Sequence, residues 1–209
     1  MKNILVLGAT GHLGKVLIKL LLDENYFVVV LVRNSKKLNL IHKNLRVIQG
    51  DVMDPNDLSN ALSEIKIVIS VLGHGFRTSF PIQKKTMIKL FPLMKKNKIK
   101  RFISVTGAGL KINGDPHSFI ANISEKLFYI IDPFRMSDAK IQQHLIEKTN
   151  LDWTVVRTPI HNNKGNGNIS QAGFNQPPIW STISRVAISK FIIDCIEKNK
   201  WIKKAPIIY

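Results

Sequence analysis

The sequence holds one cysteine, Cys195, in 209 residues, so no internal disulfide can form and nothing calls for an oxidising compartment. Cys195 sits among Ile192, Ile193 and Ile196 at helical spacing, which reads as a small buried side chain. No stretch approaches the roughly 18 uninterrupted apolar residues of a spanning helix. Any membrane contact is therefore expected to be peripheral, and no membrane partner is expected. The first residues are basic and briefly apolar but reach Gly8 without a small-residue cleavage site, so they do not read as a signal peptide and a cytoplasmic location is expected. The six histidines are scattered without metal-ligand spacing, so no metal is expected.

Acidic residues are scarce, 14 against 31 basic, which gives a net charge of +17. Such an imbalance can serve a polyanionic partner. The cations are mostly lysines dispersed in pairs, among them Lys36-Lys37, Lys84-Lys85, Lys95-Lys96 and Lys203-Lys204. There is no zinc-finger spacing, no arginine-rich arm and no aromatic-rich RNA-binding signature. A solvated basic surface is expected, with no specific nucleic-acid partner.

With 44% hydrophobic residues the chain can bury a sizeable core, and its length fits one domain spanning residues 1–209. Apolar runs alternate with helical patterns: strands are predicted at 4–7, 27–32, 45–48, 67–72, 102–105 and 153–156. A helix is predicted after the first strand from Leu13, Val16, Leu17, Leu20 and Leu21, and others at 56–62, 82–94, 138–147 and 186–195. Residues 206–209 add a short closing strand. This order predicts a single-domain α/β Rossmann fold, with a doubly wound, mostly parallel sheet and helices on both faces. Two stretches break the rhythm, residues 107–134 with an apolar helix at 119–131, and residues 158–180, rich in Gly, Asn and Pro. Both leave the carboxyl ends of strands, where such sheets bind ligands, so they are either pocket walls or surface loops.

Directly after the first strand stands Gly8-Ala9-Thr10-Gly11-His12-Leu13-Gly14, opening a helix. Glycines 8 and 11 let a turn tighten and a backbone approach a pyrophosphate, and Gly14 lets the helix pack close. The free N–H groups of His12 and Leu13, with the helix dipole behind them, suit an anion. The His12 side chain either faces solvent or covers the cofactor. At the end of the second strand, Arg33-Asn34-Ser35-Lys36-Lys37 stands where an acidic residue would select the free ribose of NAD. Arginine there suits a 2′-phosphate, so NADP(H) is expected over NAD(H), unless this is only an exposed basic turn.

These residues, with Gly50-Asp51-Val52-Met53-Asp54, Arg101 to Gly109, Ser137-Asp138-Ala139-Lys140 and Leu151 to Pro159, resemble the atypical short-chain dehydrogenase/reductase group that includes NmrA-like proteins and biliverdin/flavin reductase B. The resemblance spans nearly the whole chain. It implies that Asp51 and Val52 meet the adenine, that Leu72 and Gly73 pass beneath the cofactor, that Thr106 lies near the nicotinamide, and that Lys140 lies over the nicotinamide ribose, with Pro159 also at the cofactor. From its position alone, Asp51 can equally cap a helix and Lys140 can be a solvated charge. The group's Tyr-x-x-x-Lys is broken here: the position four before Lys140 is Met136, and a thioether does no acid-base work. Gly107 replaces the serine that biliverdin/flavin reductases carry after the fifth strand, which leaves the hydroxyls of Ser104 and Thr106, on one face of the strand, as catalytic candidates beside Lys140. His74, Phe76, His161 and Trp180 are candidates to line a substrate pocket.

Two functions fit. One is an NADPH-dependent reductase of a flat conjugated acceptor such as a flavin, quinone or tetrapyrrole, where the cofactor carries the hard chemistry and solvent supplies the proton. The other is an NmrA-like sensor that holds NADP(H) and acts through a partner protein without turnover. The apolar helix at 119–131 either caps the pocket or forms a dimer contact, so monomer and homodimer are both open.

Overall fold

A computed structural model describes residues 2–73, 80–112, 115–116, 125–126, 129–165, 167–178 and 180–209. The elements follow in the order β1 (Asn3–Leu7), α1 (His12–Asp23), β2 (Phe27–Val32), a 3₁₀ turn (Ser35–Lys37), β3 (Leu45–Gln49), α2 (Pro55–Ala61), β4 (Ile67–Ser70), α3 (Ile82–Lys96), β5 (Arg101–Gly107), α4 (Pro133–Glu147), β6 (Asp152–Thr158), β7 (Ile160–Asn162), β8 (Ala172–Gly173), β9 (Thr182–Ser184), α5 (Arg185–Glu197) and β10 (Ile207–Ile208).

The main sheet runs β3-β2-β1-β4-β5-β6-β10-β8, parallel except for the β10–β8 pair. Alternate residues along each strand feed two cores, as the two-residue period of a strand demands. Ile4, Val6, Val28, Val30 and Ile103 pack under α1 and α5 on one face. Leu5, Leu7, Val29, Val68 and Phe102 pack under α2, α3 and α4 on the other. This double coverage is why β1, β2 and β4 are continuous apolar runs, and it places the chain in the Rossmann class that the alternation predicts.

Several boundaries differ from the sequence expectation, each for a local reason. Helix α4 starts at Pro133 instead of 138, because Asp132 accepts a hydrogen bond from Arg135 N at 2.9 Å and Pro133 needs no N–H partner in the first turn. Residues 133 and 134 thus belong to that helix and not to the irregular insertion. Strand β4 stops at Ser70, two residues short of 72. Strands β5 and β6 run further than expected and include Thr106 and Thr158 in their pairing. Helix α3 continues through Pro92, which sits on its exposed face, to Lys96.

The described residues of the stretch 158–180 include the short strands β7 and β8. Strands β7 and β9 pair in parallel as a second, two-stranded sheet, and β8 adds the antiparallel edge to β10. Of the predicted helix at 119–131, only residues 125–126 and 129–131 are described, and these are helical. No helix among the described residues is long and apolar enough to cross a membrane.

Candidate functional site

The strand order changes direction between β1 and β4, and that is where the glycine-rich loop sits. An open α/β sheet forms its ligand crevice at this switch point. Gly8 has φ +89°, and a Cβ there would lie 2.7 Å from the carbonyl group of Val71. The β1 turn can therefore press against the end of β4 only with glycine at this position. At Gly14 a Cβ would stand 2.2 Å from Gly8 O and 2.9 Å from Ala9 Cα, so α1 seats on the loop through its missing side chain. Gly11 N donates to Gly8 O at 3.0 Å, which closes the turn.

Gly11 is the residue preceding α1 and supplies no side-chain cap, and the first turn of α1 contains no acidic residue. The positive end of a 12-residue helix is thus presented to the crevice without a built-in counter-charge. His12 is exposed, Thr10 half-buried and Leu13 buried. Further along the rim, a Cβ on Gly73 or on Gly107 would meet nothing within 4 Å among the described residues. The uncapped N–H groups at the start of α1 are a donor set that fits the pyrophosphate of a dinucleotide.

Arg33 and Asn34 leave the end of β2 exposed, and Asn34 Oδ1 accepts from Lys36 N at 3.0 Å, which fixes the 3₁₀ turn. Asp51 follows β3 half-buried; its N–H donates to Asp57 Oδ2 at 2.8 Å and its Oδ1 accepts from Met53 N at 2.9 Å. The cap of α2 is Asp54, not Asp51, with Asn56 N donating to its Oδ1 at 2.7 Å. Val52 is buried beside it.

Of the two hydroxyls on β5, Thr106 reaches the half-exposed rim and Ser104 is fully buried, with no hydrogen-bond partner among the described residues. The packing of β5 under α3 and α4 keeps the Ser104 hydroxyl away from solvent. Met136, four before Lys140, is buried. Lys140 is exposed, 3.9 Å from the Glu125 carboxylate and 6.0 Å from the Tyr129 ring centre.

His161 is half-buried, and its Nε2 is 2.7 Å from Thr158 Oγ1, which in turn donates to the Thr106 carbonyl at 3.3 Å. With the Thr158 proton on that carbonyl, Nε2 of a neutral His161 carries its ring N–H. Burial, then the nearby Arg185 cation, pushes the His161 pKa down to about 4, so the ring is neutral around pH 7. Trp180 is 83% exposed and Ile160 63%, an unusual pair of bare apolar side chains. Ile160 is in register with Thr182, two residues after Trp180, so the β7–β9 pairing brings both to one end of the ribbon. Pro159, half-buried, joins β6 to this ribbon. His74 and Phe76 lie outside the described residues. Among the described residues no cluster of His, Cys, Asp and Glu can hold a metal.

Two buried charges that hold the site were missed from the sequence. Asp138, 2% exposed, accepts from Gln83 N at 2.9 Å and Lys84 N at 2.8 Å, and so caps α3 from α4. Gln83 Nε2 passes the connection on to Leu72 O at 3.0 Å. Arg157, with no exposed surface, meets Asp115 in a two-pronged pair at 2.5 and 2.6 Å and also donates to Leu110 O and Ala205 O. It ties the segment after β5 to the chain end before β10. Its only sequence signal is an arginine inside an apolar strand, which cannot name a partner 42 residues away.

Comparison with known proteins agrees with this geometry. Photosystem II assembly factor Ycf39 of Synechocystis sp. is 25% identical over 99% of this chain and 62% of its own length. The chain spans less than two thirds of the length of the first curated relatives it matches. A short-chain dehydrogenase/reductase of Veillonella parvula in complex with NADP superposes with a TM-score of 0.80 at 18% identity, covering 99% of this chain and 94% of that one. ChuY, an anaerobillin reductase of Escherichia coli, superposes with a TM-score of 0.80 at 16% identity, covering 99% and 96%. At such identities these two structures speak for the fold. Residues 8–199 match the family described as NAD(P)H-binding, and the chain belongs to that family.

Proposed function

We propose that this protein is an NADPH-dependent reductase of a flat conjugated acceptor, a flavin, quinone or tetrapyrrole. The observation that carries the reading is the uncapped start of α1 beneath Gly8, Gly11 and Gly14, next to a rim where a Cβ on Gly73 or Gly107 would meet none of the described residues. The backbone N–H groups of His12 and Leu13 hold the pyrophosphate, Asp51 and Val52 flank the adenine, and Leu72 and Gly73 form the floor. Arg33 and Asn34, exposed at the end of β2, meet the 2′-phosphate and favour NADP(H) over NAD(H). The bound cofactor supplies hydride.

This chain's own residues then orient and exclude water. Thr106 is the one hydroxyl of β5 at the rim, and its carbonyl is fixed by Thr158 and, through it, by neutral His161. Lys140 stands over the ribose side, Pro159 closes the cofactor edge, and Ile160 with Trp180 offers an apolar face for a planar acceptor. With Met136 where a tyrosine would act, the proton comes from solvent, which suits an acceptor whose reduced form is a stabilised anion. ChuY, named an anaerobillin reductase, shares this fold, which is compatible with a reductase reading.

Buried Met136 favours a second reading, a sensor that binds NADP(H) and signals to a partner protein without turnover. A fluorescence titration with NADPH, followed in the same cuvette by flavin, quinone and tetrapyrrole acceptors, separates the two. Acceptor-dependent loss of NADPH fluorescence is expected. Binding without turnover supports the sensor, and absence of binding overturns both.

A further inference from the structure

The amino ends of the parallel strands, opposite the glycine loop, carry a concentration of lysine that the general basic bias does not account for. Segments 95–100 and 198–204 hold eight lysines in thirteen residues, about four times the density of cations in the whole chain. All eight are exposed. The fold sets the two segments side by side: the buried Arg101 donates to Lys200 O and to Asp152 O, Asp152 N donates to Lys100 O, and Lys203 N donates to Trp153 O. Lys66 precedes β4, Lys98 and Lys100 precede β5, and Lys204 bridges to Thr154 of β6. Neighbouring strands lie about 4.8 Å apart, so these cations form a row along one edge of the sheet.

Part of the charge has a local explanation. Lys95 and Lys96 complement the carboxyl end of α3, and Asp194 pairs with Lys198 and Lys200. Lys66, Lys98, Lys100, Lys203 and Lys204 have no ion-pair partner among the described residues, and of these only Lys98 adjoins a helix end, that of α3; Lys204 passes 5.9 Å from the Phe174 ring centre. Lys98 and Lys203 have φ values of +57° and +53°, so both stand at tight turns at this edge.

We propose that this lysine edge docks the protein peripherally on an anionic lipid bilayer, with the dinucleotide crevice facing away into solution. Lysine is a compact, strongly hydrated point charge that suits a fluid array of headgroup phosphates, whereas the fixed phosphates and base edges of a nucleic acid favour the planar fork of arginine. The arginine in this region, Arg101, is buried and occupied with backbone carbonyls. The tryptophan there, Trp201, is half-buried with its ring against Phe174 and Phe191.

The test is co-flotation of the full chain with phosphatidylcholine vesicles, with and without about 30% phosphatidylglycerol, at low and high salt. Binding is expected only to the anionic vesicles and is lost at high salt. Replacing Lys98, Lys100 and Lys203 together by Gln is expected to weaken it about 100-fold, roughly fivefold per lysine. Replacing Lys15, Lys19 and Lys164, which removes the same charge elsewhere, is expected to change it less than tenfold. Equal losses in the two triple variants overturn the proposal, because net charge alone then explains binding. So does absence of vesicle binding, or binding to duplex DNA or RNA in preference to the vesicles.

Discussion

The two halves of the sheet are built by different means. From β1 to β3, backbone geometry makes the site: Gly8 and Gly14 allow approaches that any Cβ would block, and Asp54 caps its own helix two residues on. From β5 to β10, buried long side chains join segments that are remote in sequence, Arg157 to Asp115 and Ala205, Arg101 to Cys195 and Lys200, Asp138 to the start of α3. The first half is a set of local solutions to close packing. The second is a set of buried polar and charged side chains whose desolvation is offset by partners far away in the sequence.

The largest effect is expected in the second half. Asp115→Ala leaves the Arg157 guanidinium buried without its counter-charge and should cost about 3–5 kcal/mol, read from the midpoint of urea unfolding. If the loss is under about 1 kcal/mol, the pair is not the staple described. Gly14→Ala should cost about 1–3 kcal/mol by overpacking and should weaken NADPH binding, since the new methyl displaces Gly8. Asp138→Ala should cost about 1–2 kcal/mol as a lost helix cap. Because Gln83 carries the connection to Leu72, that variant should also weaken NADPH, whereas a cap elsewhere, Asp132→Ala, should lower stability alone.

A pH effect of the same order as that of Gly14→Ala is expected at His161. Burial lowers the His161 pKa from 6.5 to about 4, so the folded state resists a proton that the unfolded chain accepts. The stabilisation is complete above about pH 6.5 and is lost as the pH falls toward 4, up to about 3 kcal/mol. A His161→Gln variant should show a flatter stability profile across that window. If the slope is unchanged, His161 is not the group responsible. The smallest expected effect is chemical: burial and the neighbouring Asp194 raise the Cys195 thiol to about 12, against the opposing pull of Arg101 and Lys200, so thiol reagents should label it only on unfolding.

This contrast also explains what the sequence made legible. Strand and helix order, the parallel sheet and the phosphate loop could be read because their causes are local: apolar runs, helical spacing, glycines at fixed offsets after a strand. Helix α4 was placed five residues late because Asp132-Pro133, its start signal, sat inside an apparent insertion. The cap by Asp138 across to Gln83 and the pairing of Arg157 with Asp115 were not legible, since a buried charge in a sequence names no partner. Ser104 shows the same limit from the other side, since residue type offers a hydroxyl but only the packing shows that it is buried.

The most direct test of the cofactor site compares the dissociation constants for NADPH and NADH in the unmodified protein and in Arg33→Ala. Tighter binding of NADPH in the unmodified protein, with that preference falling by at least tenfold in Arg33→Ala while NADH affinity holds, is the predicted result. Equal affinities in the unmodified protein, or a preference unmoved by Arg33→Ala, would contradict it.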